Sequence, residues 1–238
     1  MPSFSFRRTS IALATASVLA LSWFAVPSRA AEEAFIIPPP VSDVASTDGV
    51  KTLVLAGGCF WGVQGVYQHT NGVVKAVSGY AGGQARTANY ETVSGGTTGH
   101  AESVQITYDP KKVTLGKLLQ IYFSVVHDPT QLNRQGPDSG TQYRSTVFTS
   151  DPQERKVVEA YIAQLNAANV YKKKIATTLE PLQAFYPAEE YHQDYLTLHP
   201  NQPYIAFNDL PKIENLKKIF ADSYREKPVL VSSTRASN

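Results

Sequence analysis

The stretch Gly57-Gly58-Cys59-Phe60-Trp61-Gly62 limits what this chain can fold into more than any other, because it lies between two segments of different period. Lys51-Thr52-Leu53-Val54-Leu55-Ala56 is a short apolar run that predicts a buried strand, and Val63, Val66 and Tyr67 recur at helical spacing. The chain therefore turns from strand to helix at Cys59, and the two preceding glycines permit a sharp turn and close backbone approach to a ligand. Cys59 is the only cysteine, and Trp61 the only tryptophan outside the N-terminal segment. Free backbone N–H groups and the positive end of the helix dipole predict a thiolate there, nucleophilic near neutral pH. A lone cysteine is more often a buried packing residue. The glycine pair and the aromatic faces of Phe60 and Trp61 favour the reactive reading.

A single cysteine cannot form an internal disulfide, so where the chain works matters next. Residues 1–30 carry Arg7-Arg8, an apolar run from Ile11 to Val26 and then Ser28-Arg29-Ala30, the pattern of a secretory signal peptide cleaved after Ala30. The run is short for a membrane span and no stop-transfer pattern follows, so no stable membrane insertion is expected after cleavage. The twin arginine leaves the choice between general secretory and twin-arginine export open. The expected location is exported, periplasmic or secreted. A lone thiol where disulfides form points to a task for that thiol. Cleavage removes Arg7, Arg8 and Arg29 and no acidic residue, which turns the formal net charge of +2 into −1. Nothing in that balance suggests nucleic-acid binding, and Lys172-Lys173-Lys174 reads as a solvated helix end. Met1 is the only methionine, so the mature chain lacks thioethers. That suits a protein exposed to oxidants, with drift in composition as the plain alternative.

Residues 31–50 are rich in proline and small polar residues, which predicts a flexible linker, and residues 51–222 form the expected catalytic domain, with 223–238 a flexible tail. Val73 to Tyr80 has strand character, and the segment from Gly79 to Gly99 has loop chemistry of the kind that carries function. Glu102 to Tyr108 alternates as a strand, with Val104 and Ile106 on one face. Thr114 predicts an N-cap for a helix carrying Leu115, Leu118, Leu119, Tyr122 and Phe123. After a second loop, from His127 to Gly140, a strand is expected over Arg144 to Thr149. Ser150 or Asp151 then caps a helix with Val157, Val158, Tyr161, Ile162 and Leu165 inward, and Ile175 to Leu182 returns as a strand. The order β-α-β-β-α-β plus an α-β pair predicts an α+β fold: a mixed sheet with packed helices and a split β-α-β, ferredoxin-like core. From Tyr186 on, a C-terminal extension is expected to wrap this core.

Six blocks carry a resemblance: Gly57-Gly58-Cys59-Phe60-Trp61-Gly62, Gly79-Tyr80-Ala81-Gly82-Gly83, Gly99-His100-Ala101-Glu102, His127-Asp128-Pro129, Gly140-Thr141-Gln142-Tyr143-Arg144-Ser145 and Tyr191-His192-Gln193-Asp194-Tyr195-Leu196. Together, in order, they closely resemble the signature blocks of the peptide methionine sulfoxide reductase A family, from about Leu53 to Asp222. The resemblance implies stereospecific repair of methionine S-sulfoxide, free or in oxidised proteins. It implies Cys59 as nucleophile and Glu102 as the acid that protonates the sulfoxide oxygen, a role requiring burial to raise its pKa. It also implies Tyr90 and Tyr143 as the hydroxyls holding that oxygen, Asp138 as an aspartate assisting the thiol, and Phe60 and Trp61 as the apolar cup for the S-methyl group. Without the resemblance, Glu102 reads as an exposed strand-edge carboxylate, Asp138 as a turn former and most of the thirteen tyrosines as packing residues.

Many members of that family carry resolving cysteines near the C-terminus, and Ala221 to Asn238 has none. No bound cofactor or metal is expected. An external thiol reductant, a small thiol or a thioredoxin-like donor, is the implied partner. Two other readings stand beside this one: a cysteine hydrolase using Cys59 and His100 with Asp138 or Asn133, and an inactive peptide-binding homologue.

Overall fold

The computed structural model describes Met1, residues 34–46 and residues 48–232, so the expected signal peptide and its cleavage point lie outside the described residues. Strand β1 (Lys51–Ala56) is solvated at its first two positions and buried at the other four. Its alternation divides two cores: Leu53 and Leu55 enter the large one, whereas Val54 and Ala56 join a small cluster with Ala81, Ala101 and Phe148. Helix α1 (Phe60–Gln68) begins immediately after Cys59 and is buried along almost its whole length. A helix enclosed on nearly all sides cannot shift without disturbing the core.

Strand β2 (Val73–Ala81) and strand β3 (Ala101–Tyr108) complete the split unit, with β3 antiparallel to both β1 and β2 and lying between them. Tyr80 pairs with Glu102 in this register, which sets that carboxyl in the middle of the sheet. Helix α2 (Tyr90–Val93), capped by Asn89 accepting from the Thr92 N–H at 3.0 Å, gives form to the expected loop between them. Helix α3 (Leu115–Ile121) has Thr114 as its predicted cap, but Tyr122 and Phe123 fall in a wider π turn over Tyr122–Val126. Strands β4 (Arg134–Gln135) and β5 (Asp138–Ser139) make a small hairpin.

Strand β6 (Thr146–Phe148) pairs antiparallel with β1, and helix α4 (Pro152–Ala167) leads to β7 (Thr178–Glu180), parallel to β6. The sheet order β7-β6-β1-β3-β2-β8 contains the expected split β-α-β core. Asp151 rather than Ser150 caps α4, its carboxylate accepting from the N–H groups of Gln153 and Glu154 at 2.7 and 3.3 Å. Both β6 and β7 are shorter than their apolar runs predict. The chain before β6 is a 3₁₀ turn, Thr141–Tyr143, and Arg144 turns its guanidinium onto the Glu180 carboxylate at 2.9 Å.

Strand β8 (Phe185–Pro187) was outside the expected set of strands. It pairs with β2 at the sheet edge, where a proline is tolerated. The C-terminal extension is ordered: helices α5 (Tyr195–Leu198) and α6 (Leu210–Ile219) both pack against α1.

Two segments expected to be flexible are pinned instead. In the linker, Ile37 is fully buried, and the carbonyls of Ile37, Pro38 and Pro39 accept from Gln120, Tyr161 and Gln164 at 2.7, 2.7 and 2.9 Å. A proline segment has no N–H groups to pair, so its carbonyls are satisfied by side chains of the helices beneath. Asp43 then accepts from the Gly116 N–H at the start of α3. In the tail, the Asp194 carboxylate accepts from the N–H groups of Val231 and Ser232 at 2.9 and 3.1 Å, and residues 233–238 lie outside the described residues.

Asp43→Ala removes a cap contributed from 73 positions away in sequence. Urea denaturation is expected to show a loss of about 1 kcal/mol, with the midpoint lowered and the slope unchanged.

Candidate active site

Cys59 sits at the N-cap of α1 because the backbone before it can go nowhere else. Gly58 has φ +88°, and a Cβ there would meet the Gln135 side chain at 2.6 Å. Gly57 lies against the ring of His127, whose Nε2 bonds the Ser145 hydroxyl at 2.6 Å. Tyr122 donates to the Ala56 carbonyl at 2.6 Å, tying the end of β1 to the same buried group.

A cavity of about 240 Å³ opens over the turn, lined by Cys59, Phe60, Trp61, Tyr90, Glu102, Asp138, Tyr143, Gln202 and Tyr204. The seven residues that the family resemblance singled out meet there, although they come from α1 and its N-cap, α2, β3, β5 and the turn before β6. Glu102 is 2% exposed, and its Oε2 accepts from the Phe60 N–H at 3.1 Å. Burial pushes its pKa up to about 8, the Phe60 N–H opposes this, and the neighbouring Asp138 and Asp209 charges add to it. The carboxyl is therefore mostly neutral at pH 7 and can donate.

Cys59 departs from expectation. Its pKa lies well above the ordinary thiol value, raised first by burial and then by the charges of Glu102, Asp209 and Asp138, with only the Trp61 N–H acting the other way. The helix end does offer that donor, but one N–H does not offset removing sulfur from water among carboxylates. The resting group is a thiol.

Trp61 is held on three sides. It stacks on Tyr195 with centroids 4.0 Å apart and planes at 11°, meets the edge of Tyr204 and donates its indole N–H to His192 Nδ1 at 3.2 Å. Tyr90 is anchored by its backbone N–H to Glu189 at 2.9 Å and by its ring on His192. Neither the Tyr90 nor the Tyr143 hydroxyl bonds another described residue, so both can donate to an oxygen in the cavity. Burial raises both pKa values, keeping them protonated. Tyr204 donates a short hydrogen bond to Asp138, whose carboxyl burial raises above its usual range against that bond and Lys212.

Sequence reading missed Gln202, Tyr204, Tyr195, His192 and Asp209. His192 and Tyr195 lie in a quoted block, but Tyr204 and Asp209 stand in a stretch with no periodicity. The hydrolase arrangement fails on geometry. His100 accepts from the Gly83 N–H at 3.2 Å through Nδ1, and its Nε2 contacts the Gln84 carbonyl at 3.0 Å. Neither His100 nor Asn133 lines the cavity.

The family described as peptide methionine sulfoxide reductase matches residues 51–224. The chain is 61% identical to peptide methionine sulfoxide reductase MsrA 2 of Mesorhizobium japonicum, covering 82% of this chain and 100% of that one. It is 46% identical to peptide methionine sulfoxide reductase MsrA 2 of Synechocystis, covering 80% and 91%. Among solved structures it is similar to reduced Mxr1 from Saccharomyces cerevisiae, with TM-score 0.59, 35% identity and coverage of 69% and 95%. Methionine sulfoxide reductase A of Corynebacterium diphtheriae gives a TM-score of 0.55 at 33% identity, covering 74% and 92%.

The Glu102 shift has a consequence for stability. Its pKa is about 8 in the folded chain and about 4.3 when unfolded. The folded state therefore binds the extra proton in between, and this contribution to stability is full at acid pH and lost as pH rises through about 8. Glu102→Gln removes that dependence. Relative to wild type the variant is expected to gain stability between those two values and level off above, as thermal melts across pH will show.

Proposed function

This chain belongs to the peptide methionine sulfoxide reductase A family and reduces methionine sulfoxide; we propose that it does so with Cys59 as nucleophile and Glu102 as acid, on the S epimer. The observation that carries this reading is the buried Glu102 carboxyl, 2% exposed, accepting a hydrogen bond from the turn that presents the only thiol.

The sulfoxide methyl group lies in the cup of Phe60 and Trp61, where sulfur–aromatic contact is favourable. Tyr90 and Tyr143 donate to the sulfoxide oxygen and polarise the S–O bond. Cys59 attacks the substrate sulfur and an S–S bond forms, while Glu102 gives its proton to the sulfoxide oxygen, which stays on that sulfur as a hydroxyl. The thiol proton restores Glu102, and its relay is the task that Asp138, bridged by Tyr204, is placed to assist. The hydroxyl leaves as water and another water bonds the Cys59 sulfur, breaking the S–S bond: methionine departs with two electrons gained, and Cys59, its sulfur two electrons poorer, is a sulfenic acid. The hydroxyls stay protonated throughout. They bind and polarise; they do not titrate.

Regeneration needs a thiol from outside, since no second cysteine exists in the chain. A thioredoxin-like protein or a small thiol attacks the sulfenic acid, releasing water and leaving a mixed disulfide that a second thiol resolves. If the leader directs export, that donor is a dedicated thiol carrier outside the cytosol.

Cys59→Ser is expected to abolish reduction of an S-sulfoxide peptide, and Glu102→Gln to slow the first turnover by roughly 10²–10⁴-fold. An unchanged rate in the second variant removes Glu102 from the mechanism. Without reductant, quench-flow should find one methionine formed per enzyme and a species that dimedone traps. Several methionines per enzyme would rule out a single-cysteine cycle.

A further inference from the structure

One buried charge near the thiol has no part in the steps above. Asp209 is 0% exposed, closing the π turn Ile205–Asp209 and opening α6. Its Oδ1 accepts from Lys212 Nζ at 3.1 Å, while Oδ2 has no hydrogen-bond partner. The carboxylate is pressed onto the backbone of Gly62, where an added Cβ would lie only 2.1 Å from Oδ1. Gly62 belongs to the first turn of α1, the helix that Cys59 caps. A buried ion pair has thus been brought to the base of the catalytic turn, and the helix has given up a side chain to admit it.

Three carboxyls act on the Cys59 sulfur: Glu102 from β3, Asp138 from β5 and Asp209 from the C-terminal extension. Glu102, with its pKa about 8, is mostly uncharged at neutral pH. Asp138 lines the open cavity, where water screens it, and shares its charge with the Tyr204 hydroxyl. Asp209 is enclosed, so its field is the least screened. The titratable groups facing it are Lys212, Asp138, Glu102 and Cys59 itself, with Tyr204 alongside. Burial raises the Asp209 carboxyl, and the Lys212 ammonium opposes that rise.

We propose that Asp209 is a positioning residue that keeps resting Cys59 a thiol, so that peroxide does not consume the only cysteine before a sulfoxide arrives. The proposal rests on Cys59 being the nucleophile. In the competing reaction the sulfur attacks one peroxide oxygen: an S–O bond forms, the O–O bond breaks, and sulfur loses the two electrons that peroxide gains. Water leaves, and the sulfenic acid forms with no methionine repaired. The thiolate performs this step and the thiol does not. A sulfoxide brings its own activation, because Glu102 protonates its oxygen within the cavity, and peroxide lacks the methyl group that Phe60 and Trp61 hold.

The test is iodoacetamide alkylation of Cys59 in the purified full chain, followed by mass spectrometry from pH 5 to 10, for wild type and Asp209→Asn. Asparagine retains the shape and an acceptor for Lys212, so only the charge goes. The midpoint is expected to fall by about one pH unit in the variant, making both alkylation and peroxide oxidation at pH 7 about tenfold faster. KM for the sulfoxide should not move, since Asp209 does not line the cavity. A folded variant with the wild-type alkylation profile overturns the proposal. Should that variant fail to fold, Asp209→Ser, smaller and also uncharged, replaces it: a midpoint below wild type supports the proposal and an unchanged one overturns it, as does a wild-type midpoint at or below that of an ordinary thiol, about 8.5. Alkylation involves no sulfoxide, so its outcome stands apart from the Cys59→Ser assay, which tests the reductase mechanism itself.

Discussion

The hydrogen bond from the Phe60 N–H to Glu102 Oε2 joins the turn of the proposed nucleophile to the proposed acid. One partner is the first residue of α1, immediately after the thiol; the other belongs to the central strand of the split unit. Because the bond is 3.1 Å long and almost fully enclosed, moving either the helix or the strand would strand a buried carboxyl. The interaction also acts on the ionisation of Glu102. A neutral N–H donor favours the carboxylate, but burial costs the charged form more, so the proton stays on at pH 7. The same balance holds at Cys59, where the Trp61 N–H is outweighed by burial and three carboxyls. Both Glu102 and Cys59 therefore rest protonated, and the proposed reaction makes no net change in protons.

Around that bond the molecule is assembled from distant pieces. Trp61 is immobilised by Tyr195, His192 and Tyr204, all from the C-terminal extension. Tyr80 and the Tyr90 N–H both bond the Glu189 carboxylate, which connects β2 and α2 to that same extension. The aromatic cup is a joint product of the first helix and the last third of the chain. The extension in turn depends on Asp194, whose left-handed backbone, with φ 58°, aims its carboxylate at the final described residues and at Gln68 of α1. The proline strap performs the matching task on α3 and α4, far from the chemistry.

What the amino-acid order alone determined is the local and the repetitive. Period-two and period-3.6 patterns located β1, α1, β3 and α4, glycine and proline marked the turns, and the strand-to-helix turn at the single cysteine pointed to a reactive sulfur, since each follows from contacts within a few residues. The order of those elements was enough for the split β-α-β core, because short connections admit few topologies. Tertiary structure alone decided the rest. Strand β8 exists only through pairing with β2, some 106 positions earlier at Tyr80 and Tyr186, which no local pattern encodes. The strap and the tail had the composition of free segments, yet buried partners elsewhere took up their carbonyls and N–H groups. Glu102 read locally as an exposed edge carboxylate, and Cys59 as a thiolate at a helix end; both readings were reversed by burial, which depends on everything packed around a group. Tyr204 lines the cavity and Asp209 lies beneath it against Gly62 because the fold carries both to α1. Periodicity shows which way a side chain faces, but the solvation and charge around a site are properties of the whole packed molecule.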